Sequence, residues 1–230
     1  MKNLLFAAVA FIGLTGVGMT GFALAGQAPV AVVEDMKGKV SGAELMDYVV
    51  PGQVIKLGPG GSVTIGYMKS CWRETISGLG TVIIGTEQSS VHLAQFKAGK
   101  VPCDSSQAAR INKEAGESAA TLVRGLNQDD DAPKDLPPLM LHGRSPIVAT
   151  SERGKLVVER TDVKGERYVV DLGKALPARG KAYDLARSHI ALKPGGAYSM
   201  TLNSKSAAFV VDRTATPGAG PVIGRLVTLQ

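Results

Sequence analysis

The sequence predicts an all-β protein, with two β modules and a possible short helical segment between them. Short runs of Val, Ile and Thr recur along the chain and are cut by Gly, Pro, Asn or Asp, as strands and turns alternate. Glycine is abundant, with 28 residues, whereas aromatic residues make up only 5% of the 230 residues. Beyond residue 25 no apolar stretch approaches the roughly 20 residues that a membrane-spanning helix needs.

Residues 1–25 have the layout of a secretory signal peptide. Lys2 precedes an apolar run that begins at Leu4, and Ala23-Leu24-Ala25 places small residues where signal peptidase cleaves. We therefore expect cleavage before Gly26 and a periplasmic location. The alternative is that the segment stays uncleaved and anchors the chain in the inner membrane, because it is just long enough to cross a bilayer.

The first module is predicted to contain six strands, joined by turns in which Gly reaches positive φ and Pro presets φ. These strands are residues 48–50, 53–57, 62–67, 72–77, 81–85 and 91–96. Residues 104–126 are the one predicted helical stretch, with Asp104 as its cap, and Gly116 keeps any helix there short. Residues 127–138 combine three adjacent aspartates with three prolines, which predicts an exposed linker and a domain boundary.

The second module, residues 139–230, has the length and strand spacing of an immunoglobulin-like sandwich. Its seven predicted strands are residues 145–150, 155–160, 167–172, 182–187, 198–202, 207–211 and 225–229. Pro194 and Gly195 form a predicted turn before Tyr198, which is typical of a tyrosine corner, in which the phenol oxygen bonds to the backbone upstream. The alternative is a loop that happens to precede an aromatic strand residue.

The first module repeats a short sequence pattern that is similar to one found in a known family. In this pattern a Pro-Gly or Gly-Gly turn precedes a strand of alternating apolar residues. It occurs in Pro51-Gly52-Gln53-Val54-Ile55 and Gly61-Ser62-Val63-Thr64-Ile65, with related segments at 38–40 and 81–85. Residues 32–96 thereby resemble the FecR-like domain of bacterial envelope proteins. The resemblance implies a compact β domain over residues 26–126 and a role in the envelope, which in some members is signalling about iron uptake. Only three residues precede the apolar run, so we expect binding or scaffolding rather than direct transcriptional signalling.

Cys71 and Cys103 are predicted to form a disulfide, because two cysteines of an exported chain meet an oxidising compartment. The alternative makes Cys71 a nucleophile with His92 as its base and Glu74 or Asp104 as the group that orients the base. The spacing matches no thiol-enzyme signature, and an exported lone thiolate would oxidise.

Trp72 follows Cys71 directly and is either a core residue or an exposed contact. Strand alternation predicts Cys71 and Arg73 on one face of the sheet, with Trp72 and Glu74 on the other. We predict Lys69, Trp72 and Arg73 as a partner-facing edge.

No arrangement typical of a catalytic, metal or cofactor site is recognised, and we expect no enzyme activity. Residues 141–230 hold 14 Lys/Arg against 7 Asp/Glu, whereas residues 26–140 hold 11 against 13. Because export disfavours nucleic acid as a partner, we expect an envelope protein partner, with weak contact to an anionic membrane or wall surface. Ordinary solubilising charge is the alternative explanation of the basic half.

Taken together, these features predict an exported, non-enzymatic envelope module that binds or scaffolds a partner protein. The alternatives are a binder of a small molecule or a cell-wall glycan, and an exported hydrolase with an unrecognised site.

Overall fold

The structure is a computed structural model that describes residues 27–111, 138–218 and 220–230, and this part of the chain is all-β. The predicted signal peptide, most of the predicted helix and nearly all of the predicted linker lie outside the described residues. Within these ranges no helix is long and apolar enough to cross a membrane.

The first lobe, residues 27–111, is built from two antiparallel sheets that pack around one core. Its strands are β1 Ala31–Lys37, β2 Val40–Ser41, β3 Tyr48–Val49, β4 Val54–Leu57, β5 Ser62–Tyr67, β6 Trp72–Ser77, β7 Gly80–Ile83, β8 Ser90–His92 and β9 Gln95–Lys100. The sheet orders are β3-β1-β5-β6-β9 and β2-β4-β7-β8. Alternate side chains of each strand point inward, and Ile55, Ile65 and Ile76 lie fully buried between the sheets.

The second lobe, residues 138–230, is a two-layer sandwich. Its strands are β10 Leu139–Gly143, β11 Ile147–Ala149, β12 Lys155–Arg160, β13 Arg167–Asp171, β14 Ala182–Asp184, β15 Ala197–Leu202, β16 Lys205–Thr216 and β17 Leu226–Thr228. The sheet orders are β10-β16-β15-β12-β13 and β14-β11-β17, and β10–β16 and β11–β17 pair in parallel. Leu156, Met200 and Phe209 lie buried between the two layers.

Helical structure in the described ranges is confined to short segments. Residues 107–111 are helical, and Asp104 Oδ1 accepts a hydrogen bond from the Ser106 N–H at 2.9 Å near the start of this segment. An α-helical turn spans Leu172–Ala175, and 3₁₀ turns span Leu185–Ser188 and Val222–Gly224. The all-β prediction is therefore confirmed.

Several strand predictions were wrong in detail. The single strand predicted at 91–96 is two strands, because Leu93 adopts a left-handed backbone with φ of 66° and turns the chain. The strand predicted at 182–187 ends at Asp184, whose carboxylate accepts a hydrogen bond from the Ala186 N–H and starts a 3₁₀ turn. The second lobe has eight strands rather than seven, because Leu139–Gly143 pairs with β16. Strands β1 and β2 were not predicted as strands.

The two lobes share an apolar cluster in addition to their separate cores. The fully or nearly buried members of this interlobe cluster are Val32, Met68 and Ile111 of the first lobe and Ile147, Ile223 and Leu226 of the second. Hydrogen bonds cross beside it: the Gln107 side chain donates to the Leu226 carbonyl at 2.6 Å, and the Met140 N–H donates to Asp104 Oδ2 at 2.8 Å. Burial of apolar surface together with paired polar groups holds the lobes against each other.

Candidate functional site

Cys71 and Cys103 are joined in a disulfide, with the sulfur atoms 1.96 Å apart and the Cα atoms 5.5 Å apart. The bond lies at the end of the β6–β9 pairing, where the Val101 N–H donates to the Cys71 carbonyl at 2.9 Å. Neither cysteine is free, so the alternative in which Cys71 is a nucleophile with His92 as its base is wrong.

The predicted partner-facing residues do not form one surface. Cys71 precedes β6 and has φ of 53°, so strand alternation does not extend to it directly. Its disulfide partner Cys103 packs against the interlobe cluster, which is separate from the first-lobe core. Trp72 is half-buried against the core of the first lobe. Arg73, on the opposite face of β6, donates from Nε to Glu34 Oε2 at 2.6 Å, whereas Lys69 is exposed. A partner role for Lys69, Trp72 and Arg73 stays a prediction.

A polar network lies inside the first lobe. Glu74 is fully buried, and its Oε1 accepts the Ser89 N–H at 2.9 Å, while the Ser89 hydroxyl is 2.8 Å from the Tyr67 phenol oxygen. Burial raises the pKa of Glu74, and the hydrogen bonds from Ser89 oppose that rise only in part. Burial likewise raises the pKa of Tyr67 to about 12. Since these groups face the core, we assign them to the fold and not to a site.

In the second lobe, the predicted tyrosine-corner segment forms one wall of a pocket. The buried Tyr198 phenol oxygen accepts a hydrogen bond from the Lys193 N–H at 2.9 Å, which is the upstream bond that the motif predicts. Gly195 has φ of 76°, and the Gly196 N–H donates to the Lys193 carbonyl at 3.3 Å, so Pro194 and Gly195 occupy the central positions of a type II turn.

Arg160 is held in place beside this corner by a set of charged partners. Its guanidinium donates to both carboxylate oxygens of Asp162, at 2.7 and 3.0 Å, and to Glu166 at 3.4 Å. It also lies 5.9 Å from the centroid of the Tyr198 ring. The bonds to Asp162 raise the pKa of Arg160 and hold the pKa of Asp162 down at about 2. The arginine is therefore charged and fixed in orientation.

Glu166 is the centre of this arrangement. Its Oε1 accepts hydrogen bonds from the phenols of Tyr198 at 2.9 Å and Tyr168 at 3.2 Å, and its Oε2 lies 3.7 Å from Lys193 Nζ. Burial opposes ionisation of Glu166, but the hydrogen bonds from Tyr198, Arg160 and Tyr168 outweigh it and lower the pKa. The carboxylate thus stays charged and orients the surrounding donors.

The cavity next to these residues has a volume of about 390 Å³, and we name it the cationic pocket. It is lined by Arg160, Val163, Lys164, Gly165, Glu166, Arg167, Tyr168 and Lys193. Its four cations are Arg160, Lys164, Arg167 and Lys193. Three carboxylates lie among them: Glu166 in the lining, Asp162 paired with Arg160, and Glu159 paired with Arg167. The net charge of the pocket is therefore +1. Arg167 lies 3.8 Å from Glu159 in a mostly exposed pair, which is weak in water, so Arg167 can turn to a ligand.

The cationic pocket combines exposed cationic side chains with a fixed set of hydrogen bonds. Lys164, Arg167 and Lys193 present N–H donors at its rim, and Arg160 and Glu166 fix its floor. Such a set of donors suits a carboxylate, phosphate or sulfate group. The sequence signal for the pocket is the alternation of charges from Arg160 to Arg167, which by itself is also typical of a solvated hairpin.

No family model matches the chain. No curated protein and no solved structure was found to be similar to it. The FecR-like resemblance of residues 32–96 and the immunoglobulin-like assignment of the second lobe therefore stay predictions, and the cationic pocket is interpreted from its own geometry.

Across the part of the chain that the structure describes, no three His, Cys, Asp or Glu side chains lie close enough together to hold a metal ion. His142 Nδ1 lies 3.9 Å from Asp212 Oδ2 at the surface of the second lobe, and Asp212 is also bonded to Thr214. This pair has only two candidate ligands, so it does not amount to a metal centre.

Proposed function

We propose that the chain is an exported, non-enzymatic binding module, whose cationic pocket holds an acidic segment of another envelope protein. The observation that carries this proposal is the convergence of four cations on one preorganised cavity. Arg160 and Glu166 are already fixed by hydrogen bonds to Asp162 and Tyr198, so an acidic ligand would meet oriented donors with little ordering cost.

Two further features support export and binding. A disulfide is stable in an oxidising compartment, and the first 25 residues have the sequence pattern of a signal peptide. The interlobe cluster packs the two lobes together, which suits a protein that presents a fixed surface to a partner.

Site-specific photo-crosslinking in intact cells tests the proposal. Val163 lines the pocket with 56% of its surface exposed, so a photoreactive residue there should yield one discrete protein adduct. Val54 is an exposed valine of the first lobe and serves as the matched control position, which should not yield the same adduct. Reversing the charges with Lys164→Glu and Lys193→Glu should abolish the Val163 adduct.

The charge-reversal variant needs a folding control, which its thermal unfolding supplies. Lys164 and Lys193 are exposed, so the variant should still fold and unfold in one cooperative transition. Lys193→Glu places a second carboxylate beside Glu166, so the unfolding temperature should fall by a few degrees. Failure to find an adduct at Val163, or an adduct that survives the charge reversal in a folded protein, contradicts the proposal.

An acidic glycan of the cell wall is a second candidate ligand. The size of the cavity and the Tyr168 ring in its wall favour it, because sugars bind on aromatic side chains combined with polar groups. Purified wall material should sediment the protein at low salt and release it at high salt, and the Lys164→Glu, Lys193→Glu variant should not sediment. Absence of sedimentation of the natural chain would exclude this candidate.

A further inference from the structure

The first lobe has one end at which turns from both of its sheets meet. In the larger sheet, Lys37, Ser62, Ser77 and Gln95 lie in one cross-strand row at the ends of four strands. In the smaller sheet, Leu57 pairs with Gly80 at the same end. We name this region, made of residues 37–40, 58–61, 78–80 and 93–95 with their flanking strand ends, the turn end.

Three large apolar side chains are exposed at the turn end. Leu79 is 62% exposed, Leu93 is 94% exposed and Phe96 is 48% exposed. A Cβ built on Gly80 would lie 2.4 Å from the His92 carbonyl oxygen, so the turns that carry Leu79 and Leu93 touch. Phe96 pairs with Ile76 on the adjacent strand ends. Because Ile76 is buried, Phe96 lies on the inner face of the edge strand β9, close to its first residue. The three residues therefore lie at one corner of the lobe.

Leu93 is the least expected of these residues on physical grounds. Its φ of 66° belongs to the left-handed region, which glycine and asparagine adopt at lower cost than a leucine does. Its side chain is almost fully exposed and so gains nothing from burial within the chain. Within residues 27–111 and 138–230, apart from 219, neither the backbone nor the core accounts for a leucine there.

The charges around this corner are strongly one-sided. Lys37, Lys39, Lys56 and Lys97 are all exposed there, and Asp35 is the one acidic residue of the turn end and its flanking strand ends. Asp35 pairs with Lys37 at 3.6 Å, in a largely exposed pair.

The other end of the same lobe carries charges of both signs, because the exposed Lys69 and Lys100 lie there together with three acidic residues. Glu44, Asp47 and Glu87 lie there in the loops that follow β2 and β7. Glu44 is bonded to Lys181 of the second lobe at 2.7 Å. Residues 27–111 hold 8 Lys/Arg against 7 Asp/Glu, so the four lysines and one aspartate of the turn end represent a local concentration of positive charge.

We propose that the turn end binds the surface of an anionic lipid bilayer, with Leu79, Leu93 and Phe96 inserted at the level of the headgroups and the lysines paired with lipid phosphates. The apolar side chains are separate from one another and surrounded by lysines. A lipid bilayer suits this arrangement, because it offers an apolar interior beneath anionic headgroups. This surface is distinct from the cationic pocket, which lies in the second lobe.

Vesicle sedimentation with the full chain tests this proposal. Vesicles of phosphatidylcholine with about 30% phosphatidylglycerol should bind the protein, and pure phosphatidylcholine should bind it at least about tenfold more weakly, because each lysine contributes separately to attraction by anionic lipid. No binding to the anionic vesicles would overturn the proposal, whatever the outcome of crosslinking at the pocket.

Leu93→Asn is the decisive variant, because asparagine tolerates the left-handed backbone while it removes the apolar tip. Binding to the anionic vesicles should fall about tenfold, while resistance to denaturant stays equal or rises. Val169→Asn is the matched control, since Val169 is 53% exposed on β13 of the second lobe, and it should bind like the natural chain. Equal binding by Leu93→Asn and the natural chain would overturn the proposal.

Two charge-reversal variants test whether the lysines of the turn end attract the anionic lipid. Lys56→Glu at the turn end should weaken binding to the anionic vesicles about fivefold or more, and Arg179→Glu, an exposed position of the second lobe with the same charge change, should have a clearly smaller effect. A larger loss with Arg179→Glu would show that overall charge, and not this surface, determines binding, and would overturn the assignment.

Discussion

Glu34 Oε1 accepts a hydrogen bond from the backbone N–H of Ile223 at 2.9 Å, although 189 residues separate the two in the chain. The other oxygen of the same carboxylate accepts the Arg73 guanidinium at 2.6 Å. Glu34 lies at a β-bulge, where the pairing of β1 with β5 shifts between Val33 and Asp35. The bulge aims a carboxylate, 1% exposed, at the boundary between the lobes, where it ties β1 to the second lobe.

Replacement of Glu34 by alanine should lower the free energy of unfolding by about 3 kcal/mol, because a buried N–H and a partly buried guanidinium lose their acceptor. Glu159→Ala is the matched control, since Glu159 is largely exposed, and it should cost less than about 0.5 kcal/mol. Urea unfolding followed by fluorescence measures both. Equal losses in the two variants would show that the Glu34 contacts do not stabilise the protein.

Removal of the disulfide by the double change Cys71→Ser, Cys103→Ser should lower the free energy of unfolding by about 3–4 kcal/mol. The bond closes a loop with a sequence separation of 32 residues, and it restricts the unfolded chain accordingly. Unfolding of the natural chain with and without reductant provides an independent measurement of the same quantity. If reductant has no effect on the unfolding midpoint, the bond does not contribute in this way.

Tyr198→Phe should cost about 2 kcal/mol, because the buried Lys193 N–H loses its acceptor and Glu166 loses a donor. Tyr168→Phe removes the same kind of atom from the same carboxylate, but Tyr168 is less buried and its oxygen bonds only to Glu166, so the cost should be smaller. Thermal unfolding of the two variants ranks them. The reverse order would contradict the role of Tyr198 as the corner residue.

Glu74→Gln should stabilise the protein at neutral pH and progressively less as the pH falls. The folded-state pKa of Glu74 is raised by burial, so between the ordinary glutamate value and the raised value the folded chain binds more protons than the unfolded chain. Ionisation in that range costs stability as pH rises, and glutamine avoids it. The difference in unfolding free energy between variant and natural chain, measured from about pH 4 to pH 8, should grow with pH.

The exposed Glu87 provides the control for this pH series, because its carboxylate is solvated in the folded chain. Glu87→Gln should give a smaller dependence on pH than Glu74→Gln gives. A difference for Glu74→Gln that does not change with pH would mean that the buried carboxyl does not titrate differently in the two states.

Gly38→Ala should destabilise the protein more than Gly52→Ala does. Both glycines have left-handed backbones, with φ of 65° and 80°. A Cβ on Gly38 would lie 2.2 Å from the Gly60 carbonyl oxygen, whereas a Cβ on Gly52 meets no atom within 4 Å. Gly52→Ala should cost about 1–2 kcal/mol from backbone strain alone, and Gly38→Ala should cost clearly more. Denaturant unfolding distinguishes the two.

The strands of this protein were predictable where alternation and turn residues agree. Residues 62–67, 72–77 and 155–160 form strands with the predicted bounds, because apolar and polar positions alternate between clear turn residues. β1 was missed as a strand because Glu34 and Asp35 interrupt its apolar pattern, and the partner that satisfies Glu34 is Ile223, far along the chain. Local sequence contains no information about such a partner.

The candidate site was predictable only in part. The turn before Tyr198 identified the bond to the Lys193 N–H, because a tyrosine corner is a local motif. The pocket beside it depends on the β12–β13 hairpin lying against that corner, a juxtaposition of segments about 30 residues apart in sequence, which spacing does not encode. The exposure of Leu93 was not predictable for the same reason, because residues 91–96 have the sequence of a strand and Leu93 is one of their apolar residues.

The interlobe cluster recruits Val32 near the beginning of the described chain and Leu226 near its end. Contacts so distant in sequence form only after a long segment has been brought together, at a cost in chain entropy that slows folding. Either lobe produced alone would leave its side of the cluster open to water. Truncated fragments of this protein should therefore self-associate, and the intact chain should melt in one cooperative transition rather than two.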